Sequence, residues 1–271
     1  MAPLSIGTFY NPHLGREILE TSGIDHLALA DSPSPHDPWW PQVRQRFTLL
    51  LHDYLGQLSE PLSTQELRRA RRLREEYGSP WAAEHLQRIR STGPAGDGAE
   101  AFLDYVFPPL YTEDLLADYV RNARRLREYL EVPLAIEPIP RYLVLDIPQM
   151  SEAEFLRRFC DQSGCDLLLD IPHAVLSAQF LERDVQSFLL ELPLDRVIEI
   201  HVAGLAFDAD LGEFWIAPVL PEPDLLDLAE LAAAHAPRLR AVTFDAFSPT
   251  LQAKTLLSGV RLLRERFAPR R

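Results

Sequence analysis

Short, almost continuously apolar runs recur along the chain, separated by stretches with helical periodicity. This alternation constrains the fold more than any single residue does. The runs read as strands at Leu4–Tyr10, Ile24–Ala30, Phe47–His52, Trp81–His85, Leu134–Glu137, Asp166–Asp170, Val197–Val202 and Ala241–Phe244. Most lack the polar–apolar alternation of a half-exposed strand, so they are expected to be buried on both faces, as in a parallel sheet covered by helices. Eight strand–helix repeats in 271 residues suit one (β/α)8 TIM barrel of the α/β class, expected as a single domain over 1–271. An open doubly wound sheet usually carries a glycine-rich phosphate turn after its first strand. Here that place reads FYNPHLG, so the barrel is favoured.

The helices carry terminal signals. Ser63–Tyr77 begins with a capping box, Ser63 and Glu66, and stops at Gly78. Thr112–Leu130 opens on Thr112, Glu113 and Asp114, acidic side chains that suit the N-terminal dipole. Ser151–Gln162 opens with a second capping box, SEAEF, and stops at Gly164. Further helices are expected at Phe180–Leu192, Pro223–Ala234 and Pro249–Phe267. The Gln87–Phe107 stretch follows the fourth strand, reads as a mobile loop over the active-site face, and is expected to act as a lid near Gly93–Gly98.

A formal net charge of −13, from 40 acidic against 27 basic residues, disfavours nucleic acid and anionic lipid as partners. Cys160 and Cys165 are too few for a disulfide scaffold and are expected as reduced, packed thiols. No apolar run is long enough to span a membrane and MAPLSIGTFY does not resemble a signal peptide, so the cytoplasm is the expected location.

Barrel enzymes build their sites from strand C-termini and the loops that follow. Those positions here hold Asp31, His52 with Asp53, His85, Glu137, Asp170 with His173, His201, and Asp245. An ionised carboxylate ending a buried strand is costly unless paired or metal-bound. Imidazole with carboxylate suits zinc, iron or manganese, and could also do metal-free acid–base work. His13, His26, His36 and His235 lie early in loops, mid-strand or on a helix, and are expected to have structural roles only.

Several segments together resemble a known family. SPWAAEHL, FPPLYTEDLLADYV, PLAIEPIPRYL, QMSEAEFL, SGCDLLLDIPHAVLSA, LPLDRVIEIHVAGL and VTFDAF are similar, in order, to segments of the multinuclear non-heme iron-dependent oxidative enzymes, a family that includes the methanobactin-biosynthesis oxidase. The resemblance runs from about residue 5 to 265. It implies a xylose-isomerase-like barrel that binds iron and uses dioxygen to modify a ribosomally made precursor peptide, often with a small partner protein that presents the peptide. Matched motif by motif, it implies metal ligation by His85, Glu137, Asp170 and His201, with His173 and Glu213 as replacement ligands and Glu137, Asp170 and His201 as the catalytic groups.

The chain also departs from the family pattern. The second-strand histidine falls on Ala30, the asparagine after Glu137 is Pro138, and those after Asp170 are Pro172 and His173. A later histidine becomes Leu181, the acidic-threonine-histidine motif becomes Glu213, Phe214 and Trp215, and the last-strand glutamate becomes Thr243, with Asp245 retained. These losses imply one or two iron ions rather than a full three-iron cluster. Two alternatives follow. One is an inactive member that binds peptide as a scaffolding subunit, with Phe214 and Trp215 filling the space vacated by metal. The other is a metal-dependent sugar isomerase or epimerase.

Overall fold

A computed structural model describes residues 3–30, 32–52, 55–92, 100–142, 146–147, 149–209 and 213–267. The expected strands form a closed parallel barrel of β1 (Ser5–Phe9), β2 (His26–Leu29), β3 (Thr48–Leu51), β4 (Ala82–Leu86), β7 (Leu134–Pro138), β8 (Asp166–Asp170), β9 (Val197–Val202) and β12 (Ala241–Phe244). The barrel closes where β1 pairs with β12, Ser5 opposite Ala241. β5 (Arg88–Thr92) and β6 (Glu100–Phe107) form an antiparallel hairpin after β4; β10 (Gly204–Asp208) and β11 (Glu213–Ala217) form another after β9. The described part of the expected Gln87–Phe107 loop is therefore hairpin, its flanks supplying strand-favouring residues such as Ile89, Thr92, Phe102, Tyr105 and Val106; Gly93–Gly98 lies outside the described residues.

The helices in chain order are α1 (Gly15–Glu20), α2 (Trp40–Arg46), α3 (Thr64–Tyr77), α4 (Glu113–Leu130), α5 (Glu152–Ser163), α6 (Ile171–Phe180), α7 (Val185–Glu191), α8 (Pro223–Ala234) and α9 (Ala253–Phe267). The Ser63–Glu66 capping box forms as read, with Glu66 N–H donating to Ser63 Oγ and Ser63 N–H to Glu66 Oε2. At α5 only half of the expected box is made: Ser151 accepts from Glu154 N–H, while the Glu154 carboxylate faces Arg158. The helix expected at Phe180–Leu192 is shorter, α7, and a further helix that was not expected, α6, precedes it. α6 begins directly after β8, with Asp170 as N-cap and Pro172 in its first turn.

Alternate strand residues point into the lumen. Phe9, Ala28, Leu50, Trp81, Ala83, Ala135, Leu168 and Ala241 pack there as an apolar floor. The next inward positions toward the strand C-termini are polar: His52, His85, Glu137, Asp170, His201, Thr243 and Asp245. A larger core lies between barrel and helices, where Leu67, Tyr119, Leu126, Phe155, Phe159, Leu256 and Leu263 are buried. Cys160 and Cys165 are free and buried in it. Among the described residues no helix is long and apolar enough to cross a membrane.

Two glycines contrast in what they permit. A Cβ on Gly7 would lie 2.2 Å from the His26 carbonyl and 2.5 Å from its ring, whereas one on Gly78, at φ 62°, would meet nothing within 4 Å. Gly7→Ala is therefore expected to cost about 2 kcal/mol or more, roughly a 4–8 °C fall in melting temperature. Gly78→Ala should cost about 1 kcal/mol through backbone strain alone. Thermal melts of both variants check the order; an equal or larger loss at Gly78 would contradict the packing assigned to Gly7.

Candidate metal centre

Strand register brings the polar layer together. His85 pairs with Glu137 across β4–β7, and His201 lies between Asp170 on β8 and Thr243 on β12. The β8–β9 register shifts between Leu167 and Leu168, so Leu168 pairs with Glu199 and Asp170 with His201. Irregularities of this kind re-aim side chains beside functional sites. The turn after β3 is held by Glu84, whose carboxylate accepts from Leu55 N–H and Gly56 N–H, placing the chain just beyond His52.

Glu137 is the hub. Its Oε2 lies 2.8 Å from His52 Nε2 and 3.2 Å from His85 Nε2, and its Oε1 lies 3.3 Å from His173 Nδ1 and 4.0 Å from His201 Nδ1. His52 and His85 stack with ring centroids 4.7 Å apart. Asp170 caps α6 through Oδ1, which accepts from His173 N–H. His201 Nδ1 faces Asp245 Oδ2 at 3.5 Å, while Nε2 faces Glu199 Oε1 at 3.2 Å. His173 Nδ1 donates to the Pro138 carbonyl, 2.9 Å away.

Burial raises the Glu137 carboxyl, but the His85, His52 and His201 imidazoles outweigh it and hold the group well below the usual carboxylate range. Burial pushes Asp170 up to about 6; His173 offsets this and the Glu137 and Asp245 charges add to it. Burial opposes protonation of His201, yet Asp245, Glu199 and Glu137 draw it well above the usual histidine value.

Seven side chains form three overlapping groups able to hold a cation: His52, His85 and Glu137; Glu137, Asp170 and His173; Asp170, His201 and Asp245. Neighbouring groups share Glu137 or Asp170, so each of these carboxylates would serve two adjacent groups. The donor set fits a metal in a second way. Asp170 Oδ2 and His52 Nδ1 are buried polar atoms without a hydrogen-bond partner, and Glu137 Oε2 and His201 Nδ1 face their ionic neighbours without good hydrogen-bond geometry. Orphans of this kind are rare unless a ligand or ion completes them. The middle group is the least ready, because His173 Nδ1 would have to release the Pro138 carbonyl.

His85, Glu137, Asp170, His173 and His201, expected as ligands, thus converge. Glu213 begins β11, and its side chain lies outside the described residues, as do Asp31 and Asp53. His52 and Asp245 were legible as mouth residues but stood outside the expected ligand set, and the structure adds both. Glu199 was missed altogether; its signal was the two-residue period that puts it on the His201 face. Phe214 and Trp215 do not fill the centre: they are half exposed on the β10–β11 hairpin, because the hairpin carries them clear of the strand ends.

Fold and site together define a closed parallel (β/α)8 barrel whose mouth gathers histidines and carboxylates able to hold a cation. The chain belongs to the RiPP precursor modification enzyme MbnB/TglH/ChrH family, which it matches over residues 30–217. A UPF0276 protein of Caulobacter vibrioides is 31% identical over 165 residues, 60% of this chain and 56% of that protein. A UPF0276 protein of Vibrio parahaemolyticus is 35% identical over 121 residues, 44% of this chain and 42% of that protein. The chain thus spans about half the length of the curated relatives it matches. Among solved structures, D-psicose 3-epimerase of Clostridium cellulolyticum H10 superposes with a TM-score of 0.61 at 12% identity, covering 98% of this chain and 97% of that one. A xylose isomerase-like TIM barrel/4-hydroxyphenylpyruvate dioxygenase fusion protein gives 0.59 at 18% identity, covering 97% of this chain and 42% of that one. At those identities the likeness shows the fold alone.

Behind His173, Glu152 is buried beside Tyr111 and Arg141, with the guanidinium 4.9 Å above the Tyr111 ring. Burial pushes Glu152 up to about 7 from its ordinary 4.5, partly offset by Arg141 and His173. The folded state therefore holds this proton more tightly than the unfolded chain, and stability declines as pH rises from about 4.5 through 7. Glu152→Gln removes that ionisation, so its stability relative to the parent should be greater at pH 8 than at pH 5. Denaturant midpoints at the two pH values test this; parallel shifts would contradict it.

Proposed function

We propose that this protein oxidatively modifies a ribosomally synthesised precursor peptide, with at least two iron ions held at the barrel mouth and dioxygen as co-substrate. The observation that carries the reading is the sharing of Glu137 and Asp170 among the three donor groups. A lone structural ion needs one closed set of ligands; carboxylates shared along a row suit a multinuclear centre. Family membership supports a peptide precursor as substrate. Iron, when bound, supplies the electrons that activate dioxygen.

The chain's own residues have separable tasks. His52, His85 and Glu137 would hold iron at one end of the row and Asp170, His201 and Asp245 at the other, with Glu137 and Asp170 each able to serve the group between. Phe9 packs against the centre from the lumen floor, its ring centroid 5.6 Å from His52 and 5.5 Å from His201, and the Phe247 ring lies tilted against it at 6.2 Å. Phe207, Phe214, Trp215 and Phe247 are about half exposed on the segments that follow β9 and β12. Exposed aromatic residues beside the mouth suit an extended chain better than a small sugar, which favours the peptide over the epimerase reading.

The test is anaerobic loading with ferrous iron, followed by elemental analysis and by exposure to oxygen with a precursor peptide encoded beside the gene. Two or more iron ions per chain are expected, falling by at least one in Glu137→Gln and Asp170→Asn. An oxygen-dependent mass change in the peptide should be lost with them. Folded protein that retains no iron after loading would overturn the reading.

A further inference from the structure

Beneath the metal-facing layer, a line of hydrogen bonds descends through the lumen. His201 Nε2 meets Glu199 Oε1 at 3.2 Å. Thr243 Oγ1 donates to the same oxygen at 2.7 Å, and Trp81 Nε1–H donates to Glu199 Oε2 at 2.8 Å. Below Thr243, His26 Nε2 lies 2.9 Å from its hydroxyl oxygen, and His26 Nδ1 lies 2.8 Å from Ser5 Oγ. Glu199, His201, His26 and Thr243 are almost wholly buried.

The chemistry of each group sets the direction of every hydrogen. Indole N–H can only donate, and an ionised carboxylate can only accept. Thr243 gives its one hydrogen to Glu199, so its oxygen accepts from His26 Nε2–H. Burial keeps His26 neutral, pushing it down to about 4, so Nδ1 is left to accept from the Ser5 hydroxyl. Three donors end on Glu199 and none leaves it. His201 must therefore present Nε2–H downward, which leaves Nδ1 pointing up among Asp245 and Glu137, the orphaned atom of the third donor group.

We propose that Glu199, clamped by Thr243 and Trp81, is a positioning residue that fixes the His201 ring so that it ligates metal through Nδ1, with Ser5 and His26 locking the clamp from below. The inference rests on the metal-centre reading for its ligation half and on the lumen geometry alone for its orienting half. A carboxylate that accepts a ligand histidine's distal N–H sets the ring's orientation and raises its basicity, and its loss costs about 10- to 100-fold in metal affinity. Thr243, on this account, is no vacant ligand position: its hydroxyl ties Glu199 to His26.

Both halves can be read on the full chain labelled with 15N histidine. In metal-free protein, a downfield Nε2–H proton of His201, protected from exchange, is expected and should vanish in Glu199→Gln. Zinc, a diamagnetic probe, should then shift His201 Nδ1 and leave Nε2 protonated. Glu199→Gln should weaken zinc binding at the His201 group about 10- to 100-fold, while the His52–His85 signals still respond at the parental concentration. Thr243→Val keeps shape and loses only the tether, so it guards against misfolding of the first variant; a smaller loss of the same kind is expected. Absence of the Nε2–H signal in the parent, zinc on Nε2, or unchanged affinity in both variants overturns the proposal. A protected Nε2–H signal with no zinc response anywhere would instead sink the metal-centre reading, and with it only the ligation half.

Discussion

Taking a carboxylate out of water costs several kcal/mol unless its charge is matched nearby. Glu137 is 1% exposed, with imidazoles from four different segments of the chain within 4.0 Å of its two oxygens. The mouth of the barrel is arranged around that burden. Protonated histidine can balance it in part, as the upward displacement of His52 and His201 shows. At the adjoining Asp170 burial outweighs the help of His173 and His201, and the Glu137 and Asp245 charges add to it. A divalent cation between the two would relieve both at once. The centre is thus a place where the fold accepts a local cost that a bound ion would remove.

The barrel makes that cost bearable by rigidity. Donors sit on strands or within a few residues of their ends, and pairing partners such as Asp170 and His201 are fixed by sheet register rather than by loop conformation. Below them the lumen has two kinds of filling: apolar side chains on one side and the hydrogen-bond line from Ser5 to Glu199 on the other. Gly7 makes room for the His26 ring that anchors this line. Packing at the closed end of the barrel thereby reaches the orientation of His201 at the open end.

Much of this was legible in the residues. Strands buried on both faces read as apolar runs, so all eight barrel strands stand where the runs placed them, to within two residues at each end. α6 was not legible, because IPHAVLSAQF is apolar nearly all round and shows no amphipathic period; its Asp170 cap and following proline were the available sign. The expected loop after β4 failed for a related reason, since its glycine-rich middle drew the reading away from the pairing of its flanks. At the site, motif resemblance found the donors on β4, β7, β8 and β9 but passed over His52, which ends a leucine run with no motif around it. Glu199 was hidden inside an apolar strand, where only the period of two links it to His201.

The barrel is shared with sugar epimerases at low identity, so the fold leaves the chemistry open and the donor arrangement must decide it. The central claim is that the row from His52 to Asp245 is a multinuclear centre with shared carboxylates. Anomalous diffraction above and below the iron edge, from crystals grown anaerobically with ferrous iron, tests this most directly. The account predicts at least two peaks, each within bonding distance of Glu137 or Asp170, and one of them beside His201 Nδ1. Iron confined to the outer surface, or no peak at the barrel mouth, would contradict it.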